Sequence, residues 1–317
     1  MQNNVLTPGL ADAMVRVAES AAIAASKLVG RGDEKKADAA AVDAMRTAFN
    51  LVNFRGRVVI GEGERDEAPM LYIGEEVGTG TGPEIDIALD PLEGTTLTAK
   101  AMSNALAVLA IAPRGGLLHA PDTYMDKLAI GPGYPDGIVS LDASPAENIA
   151  ELAKFTGRDI ADMTACVLDR PRHEEIIESL RSVGARVALI TDGDVAGVIA
   201  TTNPHTGIDL YVGSGGAPEG VLAAAALKCV GGQMFGRLVF RNDDEKKRAE
   251  RVGITDLGRT YSLNELASTE TVFCATGVTQ GSLLNGVQCR DGRVHTHSLV
   301  MTSSDGMVRY IRSNRKA

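Results

Sequence analysis

The chain has 317 residues, enough for one large α/β unit or two domains. A content of 44% hydrophobic and 23% charged residues excludes a disordered chain, and with aromatics at 4% and no Trp the core falls to Ala, Val, Ile, Leu and Met. The net charge of -9 and pI near 5.2 argue against nucleic acid or an anionic membrane as partner, although a divalent ion and a few arginines can reverse the sign of one pocket. The cysteines, Cys166, Cys229, Cys274 and Cys289, form no CxxC pair, and three of them lie in apolar runs. Reduced, buried thiols are expected rather than a disulfide or zinc framework. The first residues lack a basic segment followed by an apolar one, and no apolar run is long enough to span a bilayer, so a cytoplasmic protein is expected.

Two helices are predicted first. Thr7-Pro8 is a start signal, and Met14, Val17, Ala18, Ala21, Ala22 and Ala25 trace an apolar face up to Gly30. Asp33 stands where an N-cap would, ahead of Ala37, Ala41, Val42, Met45 and Phe49. Strands are predicted at 57–60, at 85–89 (ending at Asp90-Pro91) and at 105–112. From about residue 145 the rhythm becomes helix 145–155, strand 164–168, helix 172–183, strand 186–190, a short helix after Asp194, strand 208–212, helix 218–230 and strand 234–240. A charged helix at 243–251 and several short strands from Thr271 close the chain. This alternation predicts an α/β fold with a parallel or mixed sheet, divided into an N-terminal metal-binding half, 1–145, and a C-terminal substrate-binding half, 146–317.

Acidic turns sit where α/β proteins place ligands: Gly30–Asp33, Gly61–Glu67, Asp86–Thr96 and Gly215–Gly220. In Asp90-Pro91-Leu92-Glu93-Gly94-Thr95, two carboxylates stand three residues apart, followed by a glycine and hydroxyls at a helix start suited to phosphate. Clustered carboxylates repel unless a cation lies between them, and Mg²⁺ and Mn²⁺ take hard oxygen ligands. Taken alone, Gly-Glu-Gly-Glu also reads as a solvated turn, Asp90–Thr95 as a capped type I turn, and Asp33 is better read as an N-cap. His173-Glu174-Glu175 and the run Asp243–Arg248 read as solvated helix faces. His119, His205, His295 and His297 lack metal-ligand spacing.

The Asp90–Thr95 run resembles the D-P-[ILV]-[DE]-G-[TS] signature of the lithium-sensitive, metal-dependent phosphatases. Further blocks, in order, resemble the bacterial class II fructose-1,6-bisphosphatases: Gly30-Arg31-Gly32-Asp33, Val59–Glu64, Asp66–Tyr72, Tyr124-Met125-Asp126-Lys127-Leu128, Asp169-Arg170-Pro171-Arg172-His173, Ile190–Val195 and Gly215–Gly220. The resemblance implies a layered αβαβα sugar-phosphatase fold with two sheet-containing halves. It implies hydrolysis of the 1-phosphate of fructose 1,6-bisphosphate, in gluconeogenesis or the Calvin cycle, with Mg²⁺ or Mn²⁺ as cofactor. By matching position, Asp33 and Glu62 hold one metal, and Asp90, Glu93 and Glu219 a second. Glu93, Gly94 and Thr95 contact the reacting phosphate, while Tyr124, Arg170, Pro171, Arg172, Asp192, Gly193, Asp194 and Gly216 contact the rest of the substrate. Thr95 is expected to orient the attacking water, with Asp33 or Glu62 taking its proton. The expected partners are a sugar bisphosphate and further copies of the chain, as a homodimer or homotetramer.

The sequence departs from many relatives at Glu34, Ser214, Gln280 and Ser282, none of them a proposed ligand. Alternatives are dual action on sedoheptulose 1,7-bisphosphate, or an inositol-monophosphatase-like enzyme, against which the paired arginines argue. A non-catalytic sugar-phosphate binding protein is the alternative of another class. Gly78-Thr79-Gly80-Thr81-Gly82 would suggest it, but the GxGxxG spacing is absent.

Overall fold

Local signals set both opening helices. Helix α1 (Pro8–Ser26) is capped by Thr7, whose side chain accepts the Leu10 N–H at 3.3 Å, and Pro8 takes the first turn, where no donor is required. Asp33 caps α2 (Glu34–Phe49) in the same way, accepting the Lys36 N–H at 3.0 Å. The computed structural model describes residues 5–63 and 70–316; residues 64–69 of the motifs above lie outside them.

The chain continues as β1 (Arg55–Ile60), β2 (Glu76–Val77), β3 (Glu84–Glu93), α3 (Thr95–Ala99), β4 (Leu106–Pro113) and β5 (Tyr124–Ile130). Next come α4 (Pro145–Thr156), β6 (Thr164–Leu168), α5 (Glu174–Ser182), β7 (Arg186–Ile190), α6 (Asp194–Ala200), β8 (Leu210–Gly216), α7 (Ala217–Val230) and β9 (Gln233–Val239). The last elements are α8 (Asp243–Arg251), β10 (Thr260–Ser262), α9 (Leu263–Leu266), β11 (Val272–Gly277), β12 (Gln288–Arg290), β13 (Arg293–Thr302) and β14 (Met307–Lys316).

These elements form two mixed sheets. One has the order β12-β13-β11-β4-β3-β1-β2, with β14 also paired to β13; the other runs β10-β9-β5-β8-β6-β7. Two compact units follow from this pairing: Met1–Leu118 with Thr269–Ala317, and His119–Ser268. The core of the first joins α1 and α2 to its sheet through Met14, Met45, Phe49, Phe54 and Ile87, all fully buried. Side chains of this size contribute about 1.5–3 kcal/mol each when fully buried. In the second unit, Ile149, Leu152 and Leu180 from α4 and α5 pack on Leu128, Ala165, Val167 and Leu210.

The expected α/β class with mixed sheets is what forms, but the division of the chain differs from a break near residue 145. The first unit takes the last four strands because β11 pairs antiparallel with β4, and the second unit is the stretch of sequence between those two strands. Strand β3 runs past Asp90-Pro91 to Glu93, β8 reaches Gly216, and β13 and β14 are ten residues each rather than short. Cys289 is exposed while the other three cysteines are buried. No helix among the described residues is long and apolar enough to cross a membrane.

Candidate active site

In the first unit the acidic residues gather at one end of the parallel pair β1–β3. Ile60 pairs with Ala88, so Glu62 and Asp90 each stand two residues beyond a matched pair, at the carboxyl ends of neighbouring strands. Residues three apart on a regular strand face opposite sides. Here Asp90 is opposite Val108 and Glu93 opposite Leu106, so three steps on β3 match two on β4. This bulge adds one residue and turns both carboxylates to the same side. Their oxygens lie within 4.8 Å of each other, with Glu93 buried and the Leu92 N–H donating to Asp90 Oδ1 at 2.9 Å.

Gly94 follows in the left-handed conformation at φ 91°, where a Cβ would meet Leu97 Cδ1 at 2.8 Å; it turns the chain sharply and begins α3 at Thr95. The loop carrying Asp33 is tied to that helix, since the Gly30 and Gly32 N–H groups donate to the Thr98 and Ala99 carbonyls at 2.9 and 3.0 Å. Asp33 is the N-cap that its position suggested and also pairs with Lys36 Nζ at 2.8 Å. Hydrogen bonds from the Lys36 side chain and then its backbone hold the Asp33 carboxyl below the usual range, so it stays an anion available as a ligand. Glu34, one of the departures, accepts from Thr96 Oγ1 at 2.9 Å.

Asp38 was not singled out in the sequence. Its carboxyl is pushed up to about 6, first by burial and then by the charge of Asp90. The only local signal was an acidic residue beside the buried positions Ala37 and Ala41 of an amphipathic helix. Carboxylates crowded in this way, all hard oxygen donors, suit a divalent cation such as Mg²⁺ or Mn²⁺.

The second unit carries the other predicted residues. The register of β5 sets Tyr124 between Gly216 of β8 and Val239 of β9. A Cβ on Gly216 would overlap the Glu219 carboxylate, 1.9 Å from Oε2, so glycine is required for Glu219, in the first turn of α7, to fold back. Arg170, Pro171 and Arg172 lie just beyond β6. Arg172 donates from Nε and Nη2 to the Ser214 carbonyl at 3.0 and 2.9 Å, and its guanidinium stands 4.9 Å from the centre of the Tyr124 ring. Arg170 pairs with Asp192 at 3.4 Å. Gly193, at φ 76°, turns the chain into α6, where Asp194 is buried against Lys127 Nζ at 2.5 Å and accepts from the Tyr211 hydroxyl at 3.1 Å.

The two runs expected as solvated helix faces are so at Glu174, Glu175, Asp243, Asp244, Lys246 and Lys247, but each holds one buried member. His173 is fully buried: Nδ1 lies 2.7 Å from the Leu168 carbonyl, and Nε2 accepts the Ser214 N–H at 2.8 Å. Glu245, inside the charged helix α8, is fully buried and holds Arg241, whose guanidinium lies 4.6 Å from the Tyr124 ring. The Ser214 partner of His173 and the Thr123 partner of Glu245 lie on distant parts of the chain, which helical periodicity does not reveal.

His173 gives a pH prediction. Burial first, and then the charge of Arg172, hold its ring below the usual histidine value despite the bond to Leu168, so the fold needs it neutral. Its contribution is therefore complete above about 6.5, the unfolded value, and is lost as pH falls from there through the lower folded value. Melting temperature should fall more steeply below about pH 6.5 in the wild type than in His173→Gln. Parallel melting curves would remove this role from His173.

The fold and its acidic cluster define an α/β protein with carboxylates that could hold a metal ion in one unit and an arginine-tyrosine cluster in the other. The family model described as "Bacterial fructose-1,6-bisphosphatase, glpX-encoded" matches residues 8–315. Proteins named "D-fructose 1,6-bisphosphatase class 2/sedoheptulose 1,7-bisphosphatase" are similar throughout. One from Synechococcus sp. (strain JA-3-3Ab) is 45% identical, covering 94% of this chain and 93% of its own. One from Prochlorococcus marinus (strain NATL1A) is 45% identical, covering 95% and 94%. Among solved structures, an inositol monophosphatase from Anabaena (Nostoc) sp. PCC 7120 is 13% identical, covers 61% of this chain and 69% of its own, and superposes with a TM-score of 0.31, too loosely to argue from. The chain belongs to the glpX-type bacterial fructose-1,6-bisphosphatase family.

Proposed function

We propose that this chain removes the 1-phosphate of fructose 1,6-bisphosphate by metal-assisted hydrolysis, giving fructose 6-phosphate and phosphate. The observation that carries this reading is the bulge that turns Asp90 and Glu93 to one side of β3, in a chain of this family. Asp33 and Glu62 hold one ion; Asp90, Glu93 and Glu219 hold a second. When bound, Mg²⁺ or Mn²⁺ supplies the positive charge that draws electron density from the reacting phosphate and the departing oxygen.

The chain's own residues do the rest. Glu93, Gly94 and Thr95 line the reacting phosphate. The Thr95 hydroxyl orients the attacking water in line with the P–O1 bond, and Asp33 or Glu62 takes the proton it loses. Water oxygen bonds to phosphorus as the P–O1 bond breaks, and the proton taken by the carboxylate passes on to the departing sugar oxygen, leaving the sugar alcohol and hydrogen phosphate. Tyr124, Arg170, Pro171 and Arg172 hold the phosphate that stays, while Asp192, Gly193, Asp194 and Gly216 line the sugar. The enzyme works in the cytoplasm as a homodimer or homotetramer.

A dual role on sedoheptulose 1,7-bisphosphate is favoured by the names of the relatives, and a clamp on the unreacted phosphate tolerates a longer sugar. A panel of sugar phosphates assayed with Mg²⁺ and with Mn²⁺ tests the reading. The highest kcat/KM is expected for a ketose bisphosphate. Preference for inositol monophosphate, or release from no phosphate ester, would contradict it.

A further inference from the structure

We infer that Arg241 is a third cation of the clamp on the unreacted phosphate, an inference that rests on the function proposed above. Tyr124 is flanked by two guanidiniums, Arg172 at 4.9 Å and Arg241 at 4.6 Å from the ring centre. Arg241 reaches this place because Val239 of β9 pairs with Tyr124, and Arg241 stands two residues further on, before α8 begins.

The side chain is aimed rather than loose. Its Nε donates to Glu245 Oε1 at 2.7 Å, Nη2 lies 2.5 Å from the same oxygen, and the Arg241 backbone N–H donates to Oε2 at 2.7 Å. Thr123, the neighbour of Tyr124, donates its hydroxyl to Glu245 Oε2 at 3.0 Å. Burial would raise the Glu245 carboxyl, but the bonds from Arg241 and Thr123 outweigh it and hold it at about 2. Glu245 is therefore an anion throughout the working pH range and fixes one edge of a guanidinium whose side chain is 54% exposed.

Charge accounting points the same way. Arg170 is already paired with Asp192, while Arg172 donates to the Ser214 carbonyl. Both guanidiniums stand against one ring, and the carboxylates of Glu245 and Asp122 act on Arg241. A phosphate dianion held at this ring accepts from both guanidiniums, with the Tyr124 ring fixing their planes. The competing structural reading makes Arg241–Glu245 a plain ion pair at the start of α8. That role needs neither the approach to Tyr124 nor Thr123 on the same carboxylate.

The test compares kcat and KM for fructose 1,6-bisphosphate and for p-nitrophenyl phosphate in the wild type, Arg241→Gln, Arg241→Lys and Glu245→Gln. Arg241→Gln should raise KM for the bisphosphate about tenfold or more, with a much smaller change in kcat, as loss of a charged hydrogen bond implies. The ratio of kcat/KM values for the two substrates should fall by a similar factor, and Arg241→Lys should recover part of it. Glu245→Gln should raise KM for the bisphosphate alone but add little in an Arg241→Gln background, since it acts through Arg241. An unchanged KM in Arg241→Gln, or equal losses on both substrates, would overturn the inference. If Glu245→Gln does not fold, the two Arg241 variants decide the matter. If the wild type releases no phosphate from fructose 1,6-bisphosphate, the proposed function fails first. Calorimetric binding of fructose 6-phosphate to the wild type and Arg241→Gln then decides whether the clamp exists, equal affinities overturning it.

Discussion

Glu93→Gln and Asp90→Asn should each lower kcat/KM for fructose 1,6-bisphosphate by more than about 100-fold while leaving the protein folded. Each change removes an anionic donor from the pair that the bulge brings within 4.8 Å, and a partner one step removed from a metal already commands about 10–100-fold. The amide is nearly the same shape, so packing around the buried Glu93 is kept. Stability gives a second readout. Divalent ions should raise the melting temperature of the wild type by binding only the folded state, and this rise should shrink in both variants. In metal-free protein the variants should melt no lower than the wild type, because one of two repelling carboxylates is gone. A variant that keeps wild-type kcat/KM and the full metal-induced rise would remove that residue from the ligand set.

Thr95→Ala should act on a different parameter. If the hydroxyl orients the attacking water, its contact is made mainly in the transition state, and kcat should fall by about 10²–10⁴-fold while KM changes little. Thr95→Ser, which keeps the hydroxyl, should retain partial activity. The backbone supports a local role: Gly94 at φ 91° turns the chain into α3, and the Thr98 N–H closes on the Gly94 carbonyl at 3.0 Å. A loss confined to KM would reassign Thr95 to binding the phosphate in the ground state.

The parts of this architecture legible in the sequence are those written locally. Thr7-Pro8 and Asp33 announced both opening helices, and the strands at 164–168 and 186–190 and the helix at 243–251 stand where predicted. Acidic residues after β1 and β3 were visible because glycine and proline mark the turns around them. What was hidden depends on partners far along the chain. Pro91 reads as a stop, yet β3 continues through it, because the bulge against β4 absorbs the irregularity.

Strand β5 was seen only as a motif. Its sequence YMDKLAI holds Asp126 and Lys127, and the burial of Lys127 makes sense only beside Asp194, 67 residues later. The return of β11 to β4 is a pairing of the same kind and moved the division of the chain. Asp38, His173, Arg241 and Glu245 were missed for a related reason: their meaning lies in the tertiary neighbours Asp90, Ser214, Tyr124 and Thr123, which local spacing does not show.

The most direct measurement is phosphate release from fructose 1,6-bisphosphate by protein treated with EDTA and then freed of the chelator. Release should be absent in the metal-free protein and return on adding Mg²⁺ or Mn²⁺, with Glu93→Gln failing to recover under the same conditions. Undiminished release from the metal-free protein, or none under any condition, would contradict the account.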